Sequence, residues 1–205
     1  MNSSLKYNNL IKMYFKPFFK EYGFSLEGNT FIIKENSNYG LIDFQKSRKS
    51  KNDIVIFTIN IGVISNRLID YFSLNIESPS IEDCHWRQRI GFLLKENNDK
   101  WWQIDQGTNV DELYMEIKEY LTSYAISAIQ ENMHDENLVN LWLSGKSPGL
   151  TDIQRLLNLS ALVKKMGTYD TRLLAEIITE LHQASINKPF FKMVEVHVNK
   201  LKNEE

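Results

Sequence analysis

The sequence predicts an α+β fold: an antiparallel β-sheet of about four to five strands, packed on an N-terminal helix and a long central helix, and followed by a C-terminal helical bundle. Three observations lead there. Apolar residues recur at three- and four-residue spacing from Ser4 to Tyr22 and again from Asn109 to Asn132, the period of helices that bury one face. Between them lie short runs that alternate apolar and polar residues, separated by breaks of hairpin length, as in antiparallel strands. After Met133 only the helical period remains. The expected organisation is therefore a sheet domain over residues 1–132 and a helical extension over 133–205 packed on it.

In the first helix Leu5, Leu10, Ile11, Tyr14, Phe15, Phe18 and Phe19 form the apolar stripe. Pro17 interrupts it, lacks a backbone donor and disfavours helix at Lys16, so a kink or short break is expected there. Gly23 is placed to end the helix. Thr30–Lys34 and Tyr39–Ser47 read as strands on either side of the polar turn Asn36–Asn38, and 47–53 as a charged hairpin loop. Ile54–Ser65 is the longest strand. Val55, Phe57, Ile59, Ile61 and Val63 share one face of it; Thr58, Asn60 and Gly62 share the other. Asn66–Phe72 suits a helical turn, and Leu74–Asp83, with Pro79, an irregular stretch. Trp86–Leu94 reads as a strand with Trp86, Ile90, Phe92 and Leu94 towards the core, turning at Glu96–Asp99 and returning as Trp101–Asp105. Asn109 caps the central helix, with Asp111 and Glu112 at its positive end. Four helices follow: Asp135–Leu143, Thr151–Met166, Asp170–Ser185 and Pro189–Lys202. Ser147-Pro148-Gly149-Leu150 serves as a tight connector.

A chain of 205 residues is long enough to bury a core without staples. Its net charge of -2 lacks the basic excess of a general nucleic-acid binder. No apolar run has the length of a membrane span, and the residues after Met1 lack the pattern of a secretory signal. Cys84 is alone, which excludes an intrachain disulfide, suits a reducing compartment and favours a small buried hydrophobe over a nucleophile. His85, His134, His182 and His197 are scattered without metal-ligand spacing. No phosphate-binding glycine loop or nucleophile elbow is present. No catalytic residue, metal or cofactor is expected.

The candidate site is the second face of the sheet. Period two gathers Asp43, Gln45, Thr58, Asn60, Arg87, Arg89, Trp101 and Gln103 there. Arg87 and Arg89, two apart, point to one side, and their planar forks suit phosphate or carboxylate. Trp101 offers an indole to stack on a partner, while Trp102 points to the core. The binding set is Gln45, Asn60, Arg87, Arg89 and Trp101. The competing reading is a solvated face whose arginines pair with acids such as Asp43.

Several runs carry a family likeness. Phe15-Lys16-Pro17-Phe18-Phe19-Lys20-Glu21-Tyr22-Gly23-Phe24 with Gly28-Asn29-Thr30-Phe31, then Asp43-Phe44-Gln45-Lys46-Ser47, Phe57-Thr58-Ile59-Asn60-Ile61-Gly62, Arg89-Ile90-Gly91-Phe92-Leu93 and Lys100-Trp101-Trp102 resemble the bacterial domain-of-unknown-function family four-three-zero-four. The likeness spans about residues 10–130, and Leu141–Leu150 is similar to longer members. It implies a bacterial, cytoplasmic protein and carries no catalytic residues. Two functions stay open. One is a protein-binding module, such as an immunity or defence factor, that engages its partner through the polar face. The other is an enzyme or ligand-binding protein for an anionic small molecule or nucleotide, using Arg87 and Arg89. An open face with Trp101 exposed favours the first, and a pocket burying arginines without acidic partners favours the second. The oligomeric state is not legible in the sequence.

Overall fold

Leu10, Ile11, Phe15, Phe18 and Phe19 are buried along one side of the N-terminal helix, as their spacing requires, but Leu5, expected in the same stripe, is 48% exposed, and Tyr7 is buried in the first turns instead. The helix begins as α1 (Ser3–Asn9), where the Asn2 side chain accepts the Leu5 N–H. It widens into a π-helical stretch, Leu10–Phe15, and continues as α2 (Lys16–Glu21). The expected break at Pro17 is thus replaced by a wider turn just before it. Proline has no N–H to give and its ring crowds the carbonyl four residues back; the Lys16 N–H reaches Ile11 O, five residues back, and the helix stays continuous. The computed structural model describes residues 2–51 and 53–203. Asn52 of the expected 47–53 loop and the last two residues of the charged tail lie outside the described residues, as does Met1.

Six strands are present among the described residues: β1 (Ser25–Glu27), β2 (Thr30–Glu35), β3 (Asn38–Lys46), β4 (Val55–Ile64), β5 (Trp86–Arg89) and β6 (Trp102–Ile104). All pairings are antiparallel in the order β1-β2-β3-β4-β5, with β6 also on β4. The class matches the expectation, with β1 added; three residues are too few to show a period.

The far edge of the sheet departs from it. β5 and β6 do not form a hairpin with each other. Arg89 pairs with Asn60 and Trp102 with Phe57, so both strands run the same way along β4 as one edge strand interrupted by residues 90–101. The interruption starts with a 3-10 turn, Ile90–Leu93, which ends the two-residue period. Ile90 stays buried, but Phe92, expected in the core, is 45% exposed on the second face. The excursion closes tightly at Gly91, where a Cβ would lie 2.2 Å from Asn98 O and 2.5 Å from Lys100 N. The Thr58 hydroxyl donates to Lys100 O (2.8 Å) and pins the returning end.

After β4 come α3 (Asn66–Phe72) and the loop leading to β5. α4 (Val110–Tyr120) is capped by the Asn109 side chain, which accepts the Asp111 and Glu112 N–H groups. It passes through a π-helical stretch, Leu121–Ala125, into α5 (Ile126–Asn132). The later helices are α6 (Asp135–Leu143), α7 (Asp152–Met166), α8 (Thr171–Ser185) and α9 (Phe191–Asn203). Thr151 and Gln154 form a capping box on α7, and Gly167, at φ 64°, ends it. α7 packs on α3 and α6 and carries α8 and α9. One buried apolar cluster runs from Tyr7 and the first face of the sheet through Trp142 and Leu156 to Leu201.

A polar joint ties the sheet to the helical extension. The buried Asn38 amide donates to Met133 O (2.7 Å) and Asp135 Oδ1 (3.1 Å), and its oxygen accepts the Asn66 N–H (2.7 Å). Arg67 completes the joint by pairing with Asp135. Asn38→Ala strands several of these groups away from water and is expected to cost about 2 kcal/mol in a urea titration; no measurable change would mean that water replaces the amide.

Candidate functional site

The second face of the sheet is divided along its length. At one end Ile32, Leu41, Ile64 and Cys84 form a small apolar cluster, with Ile69, Ile76 and Ile81 packed against it. The loop before β5 roofs this end. Its turn, Ile81–Asp83, is held by the Asp83 carboxylate, which accepts from the Ser80 N–H (3.0 Å) and hydroxyl (2.5 Å). The roof lies close enough that a Cβ on Gly62 would sit 2.4 Å from Cys84 Sγ, so the glycine marks an approach of the chain to its own sheet. Cys84 is a free, buried thiol whose pKa burial pushes up, consistent with the structural role read for it.

The other end is polar. Register places Thr30 beside Asp43, Asp43 beside Asn60, and Asn60 beside Arg89. Asp43 accepts from the Thr30 hydroxyl (3.0 Å) and the Asn60 amide (3.3 Å), and that amide also donates to Gln45 Oε1 (2.9 Å). Burial raises the Asp43 pKa from its ordinary value; the Thr30 and Asn60 bonds oppose the rise, and the Glu82 charge adds to it.

Between this floor and the roofing loop lies a cleft of about 630 Å3. It is lined by Asp43, Gln45 and Asn60 of the sheet, by Ile81 and Glu82 of the loop, by Arg87, Gln88, Arg89 and Phe92, and by Pro148 and Gly149 of the later connector. Arg87 is clamped. Its Nη1 donates to Ile81 O (3.2 Å) and Glu82 O (3.1 Å), and its backbone N–H donates to Pro148 O (3.4 Å). Gly149, at φ 76°, presses so close that a Cβ there would be 2.3 Å from Arg87 Cγ. Among the described residues Arg87 forms no salt bridge. Arg89 differs: Nη1 meets Asp99 Oδ2 at 2.5 Å, the Trp101 indole donates to the same oxygen (2.9 Å), and the guanidinium lies 5.0 Å from the Trp101 ring centre.

Four of the five residues picked from the sequence, Gln45, Asn60, Arg87 and Arg89, line one cleft. Trp101 is not in its lining; it stacks on Arg89, 36% exposed, while Trp102 is buried and stacked with Phe57. The acid that pairs with Arg89 is Asp99 rather than Asp43, because the 90–101 excursion folds back over the strand end. Phe92, Glu82, Pro148 and Gly149 were not picked from the sequence. The connector at 147–150 is more than a joint, since it docks on the open edge of β5.

Elsewhere His197 Nε2 lies 2.8 Å from Ser160 Oγ and its Nδ1 lies 3.4 Å from Tyr71 Oη. All three residues are buried between α3, α7 and α9, and Ser160 also donates to Leu157 O, so this is a packing contact rather than an accessible nucleophile. Among the described residues no group of three or more His, Cys, Asp or Glu could hold a metal ion, and no helix is long and apolar enough to cross a membrane.

Fold and site together define an α+β domain with a polar cleft on the outer face of its sheet. The chain belongs to the family described as Domain of unknown function (DUF4304), which matches residues 15–131, more than half of its length. No curated protein and no solved structure matches it. The matched region holds the floor of the cleft and Arg87, while Pro148 and Gly149 lie beyond it.

Proposed function

We propose that this chain is a binding module of the bacterial cytoplasm whose cleft takes a small molecule carrying an anionic group, with Arg87 as its principal contact. One observation carries the reading: Arg87 lines a cleft of about 630 Å3, is held by backbone carbonyls, and has no carboxylate partner among the described residues. That volume lies within the roughly 300–1,000 Å3 of ordinary ligand pockets. A guanidinium already fixed by its neighbours loses little freedom when it meets a carboxylate or phosphate.

The test is a thermal-shift and calorimetric survey with inorganic phosphate, nucleoside monophosphates, dicarboxylates and short peptides. At least one is expected to bind, and Arg87→Ala is expected to weaken it tenfold or more, since hydrogen bonds to charged groups contribute about 1.5–3 kcal/mol. Equal affinity in the variant would sink the role given to Arg87. A second reading, a protein partner in an immunity or defence setting, draws support from Phe92 (45% exposed) and Trp101 (36% exposed) near the cleft, because aromatics commonly anchor interfaces. It predicts a captured partner that Phe92→Ala with Trp101→Ala releases, and no small-molecule binding.

A further inference from the structure

We infer that the ligand of this cleft is a zwitterion, whose carboxylate meets Arg87 and whose ammonium group sits between Asp43 and Glu82, as in a free amino acid or a short peptide. This rests on the cleft being a small-molecule site. Four charged side chains line it: Asp43, Glu82, Arg87 and Arg89. Arg89 already has its counter-charge in Asp99. Asp43, Glu82 and Arg87 take part in no salt bridge among the described residues. The cleft therefore presents two carboxylates and one guanidinium that lack an ion-pair partner among the described residues. A simple anion on Arg87 would share the cleft with two carboxylates, and a simple cation between them would leave Arg87 unanswered. A ligand with both charges satisfies both poles.

Asp43 and Arg87 are held in position. Each Asp43 oxygen already accepts one hydrogen bond, from Thr30 or Asn60, which orients the carboxylate and leaves further acceptor capacity on each oxygen. Asn60 engages Gln45 through Oε1, so the Gln45 NH2 group is turned away from that bond, as a donor for a ligand carbonyl. Asp43 and Arg87 stand on strands either side of β4. With about 4.8 Å per strand spacing and a two-residue offset of about 6.8 Å along β4, their backbones are roughly 12 Å apart, and their side chains shorten that span. Each peptide unit adds about 3.5 Å between ammonium and carboxylate, so a dipeptide fits the gap better than a single amino acid. Phe92, Ile81 and Pro148 line the same space and offer apolar surface to a ligand side chain. The rise in the Asp43 pKa, caused first by burial and then increased by Glu82, fits a pair of carboxylates awaiting a cation.

The experiment uses the full chain in calorimetry and ligand-observed NMR. The probes are a pool of unmodified dipeptides, the same pool N-acetylated, the same pool C-amidated, free leucine and inorganic phosphate. The unmodified pool is expected to bind, and either cap to weaken it at least tenfold. Binding by leucine comparable to the dipeptides would identify a free amino acid as the source; weaker binding would identify a peptide. Glu82→Gln changes an exposed side chain and leaves the backbone carbonyl that holds Arg87. It should weaken the unmodified pool several-fold and leave the N-acetylated pool unaffected. If acetylated peptides or phosphate bind as well as the free dipeptides, the ammonium site is wrong while the anion site stands. If no probe binds here and none in the wider anion survey does, the small-molecule reading of the cleft falls as well.

Discussion

Phe57→Ala is expected to lower the unfolding free energy by about 3–5 kcal/mol, the range for deleting a fully enclosed aromatic ring. Phe57 is 0% exposed on the first face of the sheet. Its ring centre lies 5.3 Å from Tyr7, 5.6 Å from Trp102 and 6.3 Å from Phe44, so truncation opens a void that α1, β3 and β6 all border. Neighbours held by a helix and two paired strands collapse little into such a void, which sets the cost near the upper part of the range. Ile59, also fully buried, is expected to lose about 2–5 kcal/mol on change to Ala. Urea titrations of both variants test the face assignment, and a change well under 1 kcal/mol in either would mean that the sheet is inverted.

Acid is expected to destabilise the protein through His85. This imidazole is buried, and its Nδ1 accepts the Ser65 N–H (3.1 Å), which places the ring proton on Nε2. Burial lowers its pKa from 6.5 to about 4, although the negative charges of Asp135 and Asp83 pull the other way. Between those pH values the unfolded chain binds a proton that the folded chain refuses. The contribution to stability is therefore complete above about pH 6.5 and is lost as pH falls towards 4. At about 1.4 kcal/mol per pH decade the total approaches roughly 3 kcal/mol, with about 2 kcal/mol of it lost between pH 7 and pH 5. His85→Asn retains an acceptor near the Nδ1 position and removes the titration. Denaturant midpoints at pH 7 and pH 5 should separate in the wild type and nearly coincide in the variant. A wild-type midpoint that does not move over this range would show that His85 is solvated.

Much of the architecture was legible because it rests on local period and punctuation. The stripe Leu10–Phe19, the alternation Val55–Val63, the cap at Asn109 and the Thr151 and Gly167 helix ends all behave as their chemistry dictates. The grouping of Gln45, Asn60, Arg87 and Arg89 was legible for the same reason, since side chains two apart share a face and the strands lie in order. What was not legible is non-local. Phe92 left the core because residues 90–101 bulge out of an edge strand, and the alternation in the sequence continues through the point where the strand stops. Asp99 became the partner of Arg89 only through that excursion. Pro148 and Gly149 reached Arg87 from about sixty residues away, a contact set by packing of the helical extension that no spacing within the connector encodes.

A ligand is expected at the polar end of the second sheet face, walled by Arg87. Backbone amide shift mapping tests it most directly, with the unmodified dipeptide pool and the anion panel titrated into labelled protein. Perturbations are expected to concentrate at Gln45, Asn60, Arg87, Phe92 and Gly149. Shifts confined instead to the groove of about 520 Å3 lined by His182, Gln183, Glu195 and Lys202, with the cleft residues unmoved, would contradict it.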